Sequence, residues 1–439
     1  MCFQNTEKMG KIQDDDKLYS CLKFFVDHHT RRSFTRFHVI GKENIPKNGA
    51  CVFGSNHCNT LMDALVLHAT SRRMKVFIAR GDIFKNPHTA KILKWMRILP
   101  IFRFRDGIGA VRDKNGDTID QAVDVIHDEV PLYLFPEAAH RTKHSLRQLS
   151  KGIFHIALEA NKQFGHEKPI YIVPVGLEYG DYFRFRSTIL INYGKPINVT
   201  EYVKEHGDEN EAVIINNLKT ILTERMAGLI SYIPDDEDYD AIWEITKIRS
   251  GKLPITQRMQ LVRNQRNIAK VLKFREEEPE KAKTLFEKVI EFTKHRKEQG
   301  ISVSSVAMRV PFWRTLWKTL MVLIGLPIFV AAATLSSPIW IVASFILNNL
   351  KDKAFRNTVN VCVELVLHPL IMATGVTLLF CLVPWEFAVL GSIFLYFCYV
   401  FYFDYCEYVR LWTSDIRWTF NKSLRKEFKE LRLFGRSKR

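Results

Sequence analysis

The sequence predicts an α/β fold, in which a mixed, mainly parallel sheet is flanked by helices and followed by a helical segment and C-terminal transmembrane helices. Two observations predict it. Short runs of β-branched and aromatic residues alternate with stretches of helical periodicity up to about residue 200, which is the pattern of a helix-covered parallel sheet. Beyond residue 319, three long stretches are almost free of charge, as membrane-spanning helices require.

The 439 residues divide into five predicted regions. They are a leader with an amphipathic helix (1–34), an α/β domain (35–200), a helical region (201–310), a membrane region (311–405) and a basic cytoplasmic tail (406–439). The helix of the leader, residues 18–26, has two possible locations, packed on the body or lying on a membrane surface. We favour packing on the body.

Within the α/β domain, each element follows from its local pattern. Strands are predicted at 37–41, 50–53, 75–80, 98–104, 132–135, 169–177 and 188–193, and helices from residue 61, at 87–97, around 119–126 and at 149–164. The helical stretches have apolar residues at intervals of three and four, which the strands lack. Pro174 cannot donate to a neighbouring strand, so its strand is expected at a sheet edge or with a bulge at that point.

The helical and membrane regions carry apolar stripes of different lengths. In 201–310 the stripes alternate with Glu and Lys, which predicts a helical hairpin or bundle packed on the sheet domain. A helix of about 20 apolar residues spans a bilayer, and three stretches are long enough, namely 319–347, 359–383 and 385–403. Residues Ser336 to Pro338 favour a re-entrant hairpin in the stretch 319–347 over a single kinked helix. Glu364 and His368, one turn apart, are placed to face a polar partner inside the membrane.

Charge indicates the partners and the topology. Sixty-four Lys and Arg against 47 Asp and Glu give a net charge of +17, which favours anionic partners. The basic tail directly follows the membrane region, so it indicates anionic lipid headgroups and the cytoplasmic side, and not nucleic acid. Eight cysteines without a Cys-x-x-Cys pair predict free thiols and no metal site. With no signal peptide at the N-terminus, the catalytic domain is expected to face the cytoplasm.

The stretch from Cys51 to Asp63 is where chemistry is expected. His57 lies where an apolar strand ends and a helix begins. An imidazole there can be exposed to solvent on one side and held in a fixed orientation on the other, as a general base requires. Asp63 is its candidate partner. Positions six apart on a helix differ by about 240°, so the pair meets only if His57 precedes the helix. Cys58 lacks the context of a nucleophilic thiol.

Four spaced motifs follow one another along the chain, at residues 56–63, 99–105, 134–141 and 173–176. In order and spacing they resemble the glycerolipid acyltransferase family, which includes glycerol-3-phosphate and 1-acylglycerol-3-phosphate acyltransferases. The resemblance covers roughly 35–200 and implies the acyltransferase fold there. It also implies that His57 is the catalytic base and Asp63 its partner.

The resemblance further implies how the acceptor is bound. Arg103 matches the arginine that binds the acceptor's phosphate, and Glu137 and Arg141 match the glutamate and arginine of the third motif. Glu137 is either a ligand of the acceptor hydroxyl or a structural partner of Arg141. From charge alone, Arg105 and Lys151 are further candidates for an anion pocket at the strand ends.

The chain departs from the family pattern in three places. Five residues separate His57 from Asp63 instead of the usual four. The usual Phe-Pro-Glu-Gly-Thr-Arg of the third motif reads Phe-Pro-Glu-Ala-Ala-His-Arg, so Ala138 replaces a glycine and the arginine moves one place. Arg97 stands where a glycine usually begins the second motif. These changes leave acyl transfer as the interpretation and leave the acceptor open.

We therefore expect a membrane-bound O-acyltransferase of phospholipid synthesis. It would move a fatty acyl group from acyl-CoA or acyl carrier protein, as a substrate and with no cofactor, to the hydroxyl of glycerol 3-phosphate or 1-acylglycerol 3-phosphate. Membrane lipids are its expected partners. Two alternatives remain open, namely an O-acyltransferase for another lysolipid, such as an amino-acid-containing one, and a catalytically silent membrane-binding scaffold.

Overall fold

The computed structural model describes residues 11–14, 16–101, 108–165, 167–251, 256–307, 312–350 and 352–434. These residues form two compact units. The first lies within Met1–Arg31, Arg36–Tyr182 and Ile189–Ile230, and the second within Arg32–Thr35, Phe183–Thr188 and Ser231–Arg439.

The first unit alternates strands and helices, as the sequence predicts. Its elements are α1 (Lys17–Arg32), β1 (Phe34–Ile40), β2 (Ala50–Ser55), α2 (Leu61–His68), β3 (Val76–Arg80), α3 (Pro87–Trp95), β4 (Ile98–Ile101), α4 (Ile108–His127), β5 (Leu132–Leu134), α5 (Gly152–Phe164), β6 (Ile170–Tyr179), β7 (Ser187–Tyr193), β8 (Ile197–Asn198), α6 (Val199–Glu205) and α7 (Glu211–Ala227). Short ends of some of these strands and helices are assigned to the second unit.

The sheet confirms the predicted mixed, mainly parallel class. The described strands follow the order β1-β7-β6-β2-β5-β3-β4, with β8 beside β6. β2 runs parallel to β5 and β6, and β3 runs parallel to β4 and β5, whereas β6 is antiparallel to β7 and β8. The carboxyl ends of the parallel strands therefore meet at one edge, where α/β sheets place their ligands.

Pro174 does not mark an edge strand or a bulge, so that prediction is wrong. β6 lies between β2 and β7, and its register with β2 runs without interruption from Ala50 opposite Ile170 to Ser55 opposite Val175. Proline is tolerated because β6 changes partner at this point, from β8 at Ile172 to β7 at Val175. The Pro174 carbonyl accepts from Gly194 N at 2.9 Å on the side of β7 and β8. The missing N–H of Pro174 faces the point between these two strands, so no hydrogen bond between strands is lost.

The core of the first unit lies on both faces of the sheet. On one face α4, α5 and α7 bury an apolar cluster that includes Val125, Phe154 and Leu222. The other face carries aromatic residues, with the Phe53 and Tyr133 rings stacked at a centroid distance of 4.4 Å. Burial of β2 on both faces explains why its sequence is a continuous apolar run and does not alternate.

The second unit is helical. Its helices are α8 (Tyr239–Ser250), α9 (Gln257–Glu277), α10 (Pro279–Glu298), α11 (Val303–Ala307), α12 (Phe312–Leu335), α13 (Ser337–Asn348), α14 (Arg356–Leu382), α15 (Trp385–Phe420) and α16 (Lys422–Phe434). Helices α8, α9 and α10 share a core built around Ile242, Ile268 and Phe286. Among the described residues, three helical segments are long and apolar enough to cross a membrane, namely Trp313–Leu335, Lys353–Leu382 and Trp385–Phe420.

Two features of the membrane region can be compared with the sequence predictions, and a re-entrant hairpin in its first stretch stays a prediction. The first apolar stretch divides at Ser336 into α12 and α13, of which only α12 is long enough to span. Glu364 and His368 are buried, and both face Arg32, which lies at the end of α1 and belongs to this second unit. Arg32 Nη1 lies 3.0 Å from His368 Nε2 and 3.4 Å from Glu364 Oε1, so these residues have the polar partner that their burial requires.

Candidate active site

His57 lies in the turn between β2 and α2, as its separation from Asp63 requires. Asn56 begins this turn by extending the pairing of β2 with β6. Its side chain donates to the Leu177 carbonyl at 3.1 Å and accepts from Leu177 N at 2.7 Å. Because Asn56 is buried, these two bonds fix where the chain leaves the sheet and therefore where His57 begins.

The His57 and Asp63 side chains meet at the end of β2. His57 Nδ1 lies 2.8 Å from Asp63 Oδ2, and the exposed fractions of the two side chains are 19% and 0%. A carboxylate only accepts hydrogen bonds, so this contact assigns the proton to Nδ1. Nε2 is then left to accept a proton from a substrate, which is the state a general base needs.

Asp63 is held by four donors besides His57. Oδ2 accepts from Cys58 N at 2.8 Å and Asn59 N at 2.7 Å, while Oδ1 accepts from Tyr179 Oη at 2.8 Å and lies 3.8 Å from Cys58 Sγ. Hydrogen bonds of this kind stabilise the charged carboxylate inside the protein. They also fix its orientation toward His57.

Tyr179 is a residue of the site that the sequence interpretation does not include. It lies at the end of β6, three residues beyond the fourth motif, and its side chain is buried. The pairing of the strands brings Tyr179 to the site, because Val175 lies opposite Ser55 and the end of β6 therefore runs on past His57. The sequence pattern does not give this pairing. A buried tyrosine in this position needs a partner for its hydroxyl, and Asp63 is that partner.

The extra residue between His57 and Asp63 is accommodated by an unusual backbone conformation. Thr60, which precedes α2, has φ 47° and ψ −130°. A positive φ at a β-branched residue is strained. The strained turn brings Asp63, in the first turn of α2, back to the imidazole despite the longer spacing.

The third motif supports His57 from the other side. The ring of Phe135 stacks on the imidazole at a centroid distance of 4.3 Å, and the ring of His140 lies edge-on at 5.8 Å. The backbone N–H of Arg141 donates to the His57 carbonyl at 3.0 Å. The imidazole is therefore fixed by both motifs, with Asp63 at Nδ1 and an aromatic face beside the ring.

Glu137 joins the first and third motifs through the backbone. Its carboxylate accepts from His57 N at 3.0 Å and from Arg147 N at 2.9 Å. Burial raises the pKa of the Glu137 carboxyl, against the lowering effect of these two bonds. Of the two interpretations of Glu137, these contacts favour a structural one, although the partners are the His57 and Arg147 backbones and not the Arg141 side chain.

The predicted anion-binding residues differ in how far the structure describes them. Arg103 and Arg105 lie outside the described residues. The guanidinium of Arg141 lies 3.5 Å from Ser145 Oγ, and Lys151 is exposed at the residue that precedes α5. A Cβ at Gly152 would lie 3.2 Å from Ile101 Cδ1, so the start of α5 lies against the last described residue of β4. Lys151 is thus close to the strand that contains the start of the second motif.

Comparison with known proteins gives the family of this segment. Residues 36–178 match the family described as Acyltransferase. The chain contains an acyltransferase domain. This confirms the resemblance drawn from the four motifs, all of which lie within the matched residues.

Two relatives extend the comparison. Over 148 residues the chain is 28% identical to glycerol-3-phosphate O-acyltransferase 2 of Saccharomyces cerevisiae. That match covers 34% of this chain and 19% of the yeast protein. The crystal structure of the 1-acyl-sn-glycerophosphate acyltransferase of Thermotoga maritima is 18% identical in sequence and gives a TM-score of 0.34. The match covers 49% of this chain and 83% of the Thermotoga maritima chain.

The acyltransferase domain keeps a left-handed backbone at both places where it lacks the family's glycine. Ala138 has φ 57° and Arg97 has φ 63°. Arg97 follows the end of α3, where such a conformation often ends a helix. Its buried guanidinium donates to the carbonyls of Ile12 and, at 2.6 Å, Asp14, and lies over the Tyr19 ring. The replacement thereby ties the N-terminal segment to the second motif.

Cys58 is not activated in the acyltransferase domain. Its side chain is buried, and burial raises the pKa of the thiol well above its ordinary value, with the Asp63 carboxylate acting in the same direction. A thiolate is the reactive form of cysteine, so this position opposes nucleophilic catalysis. The contacts of Cys58 with Asn56 and Asp63 make it part of the packing beneath His57.

Proposed function

We propose that this chain is a membrane-bound O-acyltransferase that transfers a fatty acyl group from a thioester donor to the hydroxyl of glycerol 3-phosphate or 1-acylglycerol 3-phosphate. The observation that carries the proposal is the 2.8 Å contact of His57 with Asp63, at the strand edge and inside the acyltransferase domain. The donor would be acyl-CoA or acyl carrier protein, bound as a substrate.

The reaction is a direct attack by the acceptor. Nε2 of His57 takes the proton of the acceptor hydroxyl as its oxygen attacks the thioester carbonyl. The tetrahedral intermediate collapses to an ester and a thiolate, which receives the proton from the imidazolium. Asp63, held by Tyr179 and two backbone amides, stabilises that imidazolium through Nδ1.

The acceptor's phosphate is assigned to the basic residues of the second and third motifs. Arg103 is the principal ligand in this proposal, with Arg105, Arg141 and Lys151 contributing positive charge. Support comes from the position of Lys151 beside the end of β4 and from the preference of arginine for phosphate. We also propose that the acyltransferase domain faces the cytoplasm, where acyl thioesters would reach it.

The direct test is the loss of acyl transfer in His57→Ala. Washed membranes containing the full chain are incubated with labelled acyl-CoA and a panel of acceptors. A general base contributes about 10²- to 10⁴-fold, so the variant should lose at least that much activity. His155→Ala, an exposed histidine on α5, is the matched control and should keep wild-type activity. Substantial turnover by His57→Ala would overturn the assignment of the base.

A second variant tests the acceptor class. Arg103→Ala should raise the apparent KM for glycerol 3-phosphate or 1-acylglycerol 3-phosphate while leaving the KM for the acyl donor unchanged. An equal KM for phosphorylated acceptors in wild type and variant, with transfer to an amino-acid-containing lysolipid, would favour the alternative acceptor. Binding of lipid without acylation of any acceptor would favour the silent scaffold.

A further inference from the structure

The residues before α1 form a short segment that lies on the first unit. We call residues 11–14 the N-terminal strap, and they belong to no helix or strand. Asp14 N donates to the Lys11 carbonyl at 3.0 Å, which makes a turn, and Ile12 packs against the apolar core of this unit. A single turn has little stability of its own, so the position of the strap depends on its contacts with the rest of the unit.

Arg97 binds the backbone of the strap. Its guanidinium donates to the carbonyls of Ile12 and, at 2.6 Å, Asp14, and its Cζ lies 4.4 Å from the centre of the Tyr19 ring. Arg97 is buried, so these carbonyls replace the water that a charged group requires. The Arg97 carbonyl accepts from Phe77 N at 2.9 Å, which continues the pairing of β3 with β4. One residue therefore joins the strap to the start of β4.

The side chains of the strap bind helix α4. Lys11 Nζ lies 2.8 Å from Asp124 Oδ1 and 3.1 Å from Asp128 Oδ2. Gln13 Nε2 donates to the same two carboxylates, at 3.0 and 2.9 Å. Hydrogen bonds from Gln13 and Lys11 lower the pKa of the Asp128 carboxyl to about 2. Exposed ion pairs contribute little by themselves, so Gln13, which is buried, makes the stronger of the two links.

The strap connects the two elements that precede and follow the rest of the second motif in the sequence. Strand β4 contains residues 99–101 of that motif, and α4 begins at Ile108, three residues after Arg105. Because β4 and α4 are bound to the same four residues, moving one relative to the other breaks contacts of Arg97 or of Gln13. The usual family pattern has glycine at position 97, and glycine has no side chain with which to make this link.

We propose that the N-terminal strap, bound through Arg97 and Gln13, is a positioning element of the second motif and sets the affinity for the acyl acceptor. It fixes β4 relative to α4, the two elements between which Arg103 lies in the sequence. The inference rests on the proposed function, from which the acceptor and the assignment of its phosphate to Arg103 are taken. Arg97 acts through the second motif and not on the proton transfer at His57, so its effect is on acceptor binding.

Arg97→Gly tests the proposal in washed membranes that contain the full chain. Glycine adopts the positive φ of 63° at this position readily, so the variant removes the guanidinium without straining the backbone. The apparent KM for glycerol 3-phosphate or 1-acylglycerol 3-phosphate should rise several-fold, while kcat and the KM for acyl-CoA stay at their wild-type values.

The matched control is Arg186→Gly. Arg186 also has a positive φ, 61°, and its guanidinium also donates to two backbone carbonyls, those of Arg32 and Phe34. The same chemical change at this position should leave the acceptor KM unchanged. An unchanged acceptor KM in Arg97→Gly, or an equal rise in the two variants, would overturn the proposal.

A double-mutant cycle tests whether Arg97 acts through the second motif. In a chain that already carries Arg103→Ala, the further change Arg97→Gly should cause no additional rise in the acceptor KM, because the ligand that it positions is gone. Rises in KM that multiply independently would show that Arg97 acts by another route, and would overturn the assignment.

Hydrogen exchange supplies a readout that does not depend on catalysis. The backbone amides of β4 should exchange several-fold faster in Arg97→Gly, and in the double variant Lys11→Ala with Gln13→Ala, than in wild type, because β4 then opens more easily. The control Lys168→Ala removes contacts with the His127 carbonyl and Glu129, at the same end of α4, and should leave this exchange unchanged.

The two readouts separate the two proposals. Unchanged exchange of β4 in both strap variants would overturn the inference even if acyl transfer to a phosphorylated acceptor is found. A wild-type chain that acylates no phosphorylated acceptor would contradict the proposed function, and the exchange of β4 would still decide whether the strap holds that strand.

Discussion

Asp63 is buried, and hydrogen bonds mostly from neutral groups stabilise its carboxylate. Its carboxylate accepts from the imidazole of His57, two backbone amides and the hydroxyl of Tyr179. Each donor fixes one direction around the carboxylate, so the imidazole has a single orientation that aligns with Oδ2. At the scale of single residues, the orientation of His57, the proposed base, is therefore set by the groups that surround Asp63.

Tyr179→Phe tests this effect of a positioning residue. The variant keeps the ring and removes one hydrogen bond to the Asp63 carboxylate. A hydrogen bond to a charged group is worth about 1.5 to 3 kcal/mol, or roughly a 10- to 150-fold change. We expect kcat for acyl transfer to fall by about that factor while the acceptor KM stays constant, because the residue acts on the base and not on binding.

The control for this prediction is Tyr133→Phe. Tyr133 is also buried and loses a tyrosine hydroxyl bond, here to Tyr193 Oη at 3.1 Å, away from His57. Steady-state kinetics of both variants separate positioning from general stability. An equal fall of kcat in the two variants would contradict a specific function of Tyr179.

At the scale of elements, the turns impose backbone conformations that the side chains do not favour. Thr60, Arg97 and Ala138 all have positive φ and lie in or beside the first three motifs. A left-handed conformation costs a non-glycine residue about 1 to 2 kcal/mol. Thr60 lies three residues after His57, Ala138 follows Glu137 and Arg97 precedes β4, so the strained residues lie at the candidate site.

Ala138→Gly should stabilise the protein. Removing the Cβ at φ 57° relieves about 1 kcal/mol of strain beyond the entropy that glycine loses. Ala90→Gly makes the same chemical change inside helix α3, where it should destabilise by a similar amount. Thermal unfolding of the detergent-solubilised chain should therefore shift in opposite directions. Shifts of the same sign would contradict the assignment of strain to Ala138.

A buried lysine, Lys75, caps the C-terminal end of α2, and its titration makes the stability of the protein depend on pH. Lys75 Nζ donates to the carbonyls of His68, Ser71 and Arg73 at 2.9, 3.1 and 3.3 Å. Burial lowers the pKa of Lys75 to about 7 from 10.5. Between these values the unfolded chain binds more protons than the folded chain, so this group makes the free energy of unfolding rise with pH.

Lys75→Met removes this titration. Over the pH range between the two pKa values, the unfolding midpoint of the variant should rise less, or fall more, than that of wild type. Lys47→Met, at an exposed lysine, should follow the wild-type curve. The measurement is thermal unfolding across that range, and parallel curves for wild type and Lys75→Met would contradict the depressed pKa.

At the scale of the whole molecule, the chain combines an acyltransferase domain with helices long enough to cross a membrane. Helix α14 ends at Leu382 and α15 begins at Trp385, so only a short turn separates these two helices. Basic residues lie before α14 and after the apolar part of α15, whereas the turn has none. From the distribution of positive charge, we propose that both outer ends are cytoplasmic and that the turn is on the opposite side.

Glycosylation mapping tests this topology. An acceptor sequence inserted at Pro384 should be glycosylated in microsomes, because the turn would reach the lumen. The same acceptor inserted after Phe434, beyond α16, should remain unmodified. The shift of each protein on a gel, with and without a glycosidase, gives the result. Modification after Phe434 alone would invert the proposed orientation.

The sequence by itself determined the class of the sheet, the turn at His57 and the apolar membrane helices. These features depend on local periodicity and on residue types at fixed spacing, which a single chain displays directly. The order of the four motifs identified the acyltransferase domain for the same reason. The sequence also indicated that His57 must precede α2 in order to reach Asp63.

Only the tertiary structure decided how the site is held. Tyr179 reaches Asp63 across 116 positions of the chain, and Glu137 reaches the His57 backbone across 80. Such contacts depend on the pairing of β2 with β5 and β6, which local pattern does not specify. Pro174 shows the same limit, because its place inside the sheet depends on where β8 gives way to β7. The turn that carries His57 is visible in the sequence, but the network that orients the imidazole arises when distant strands pair.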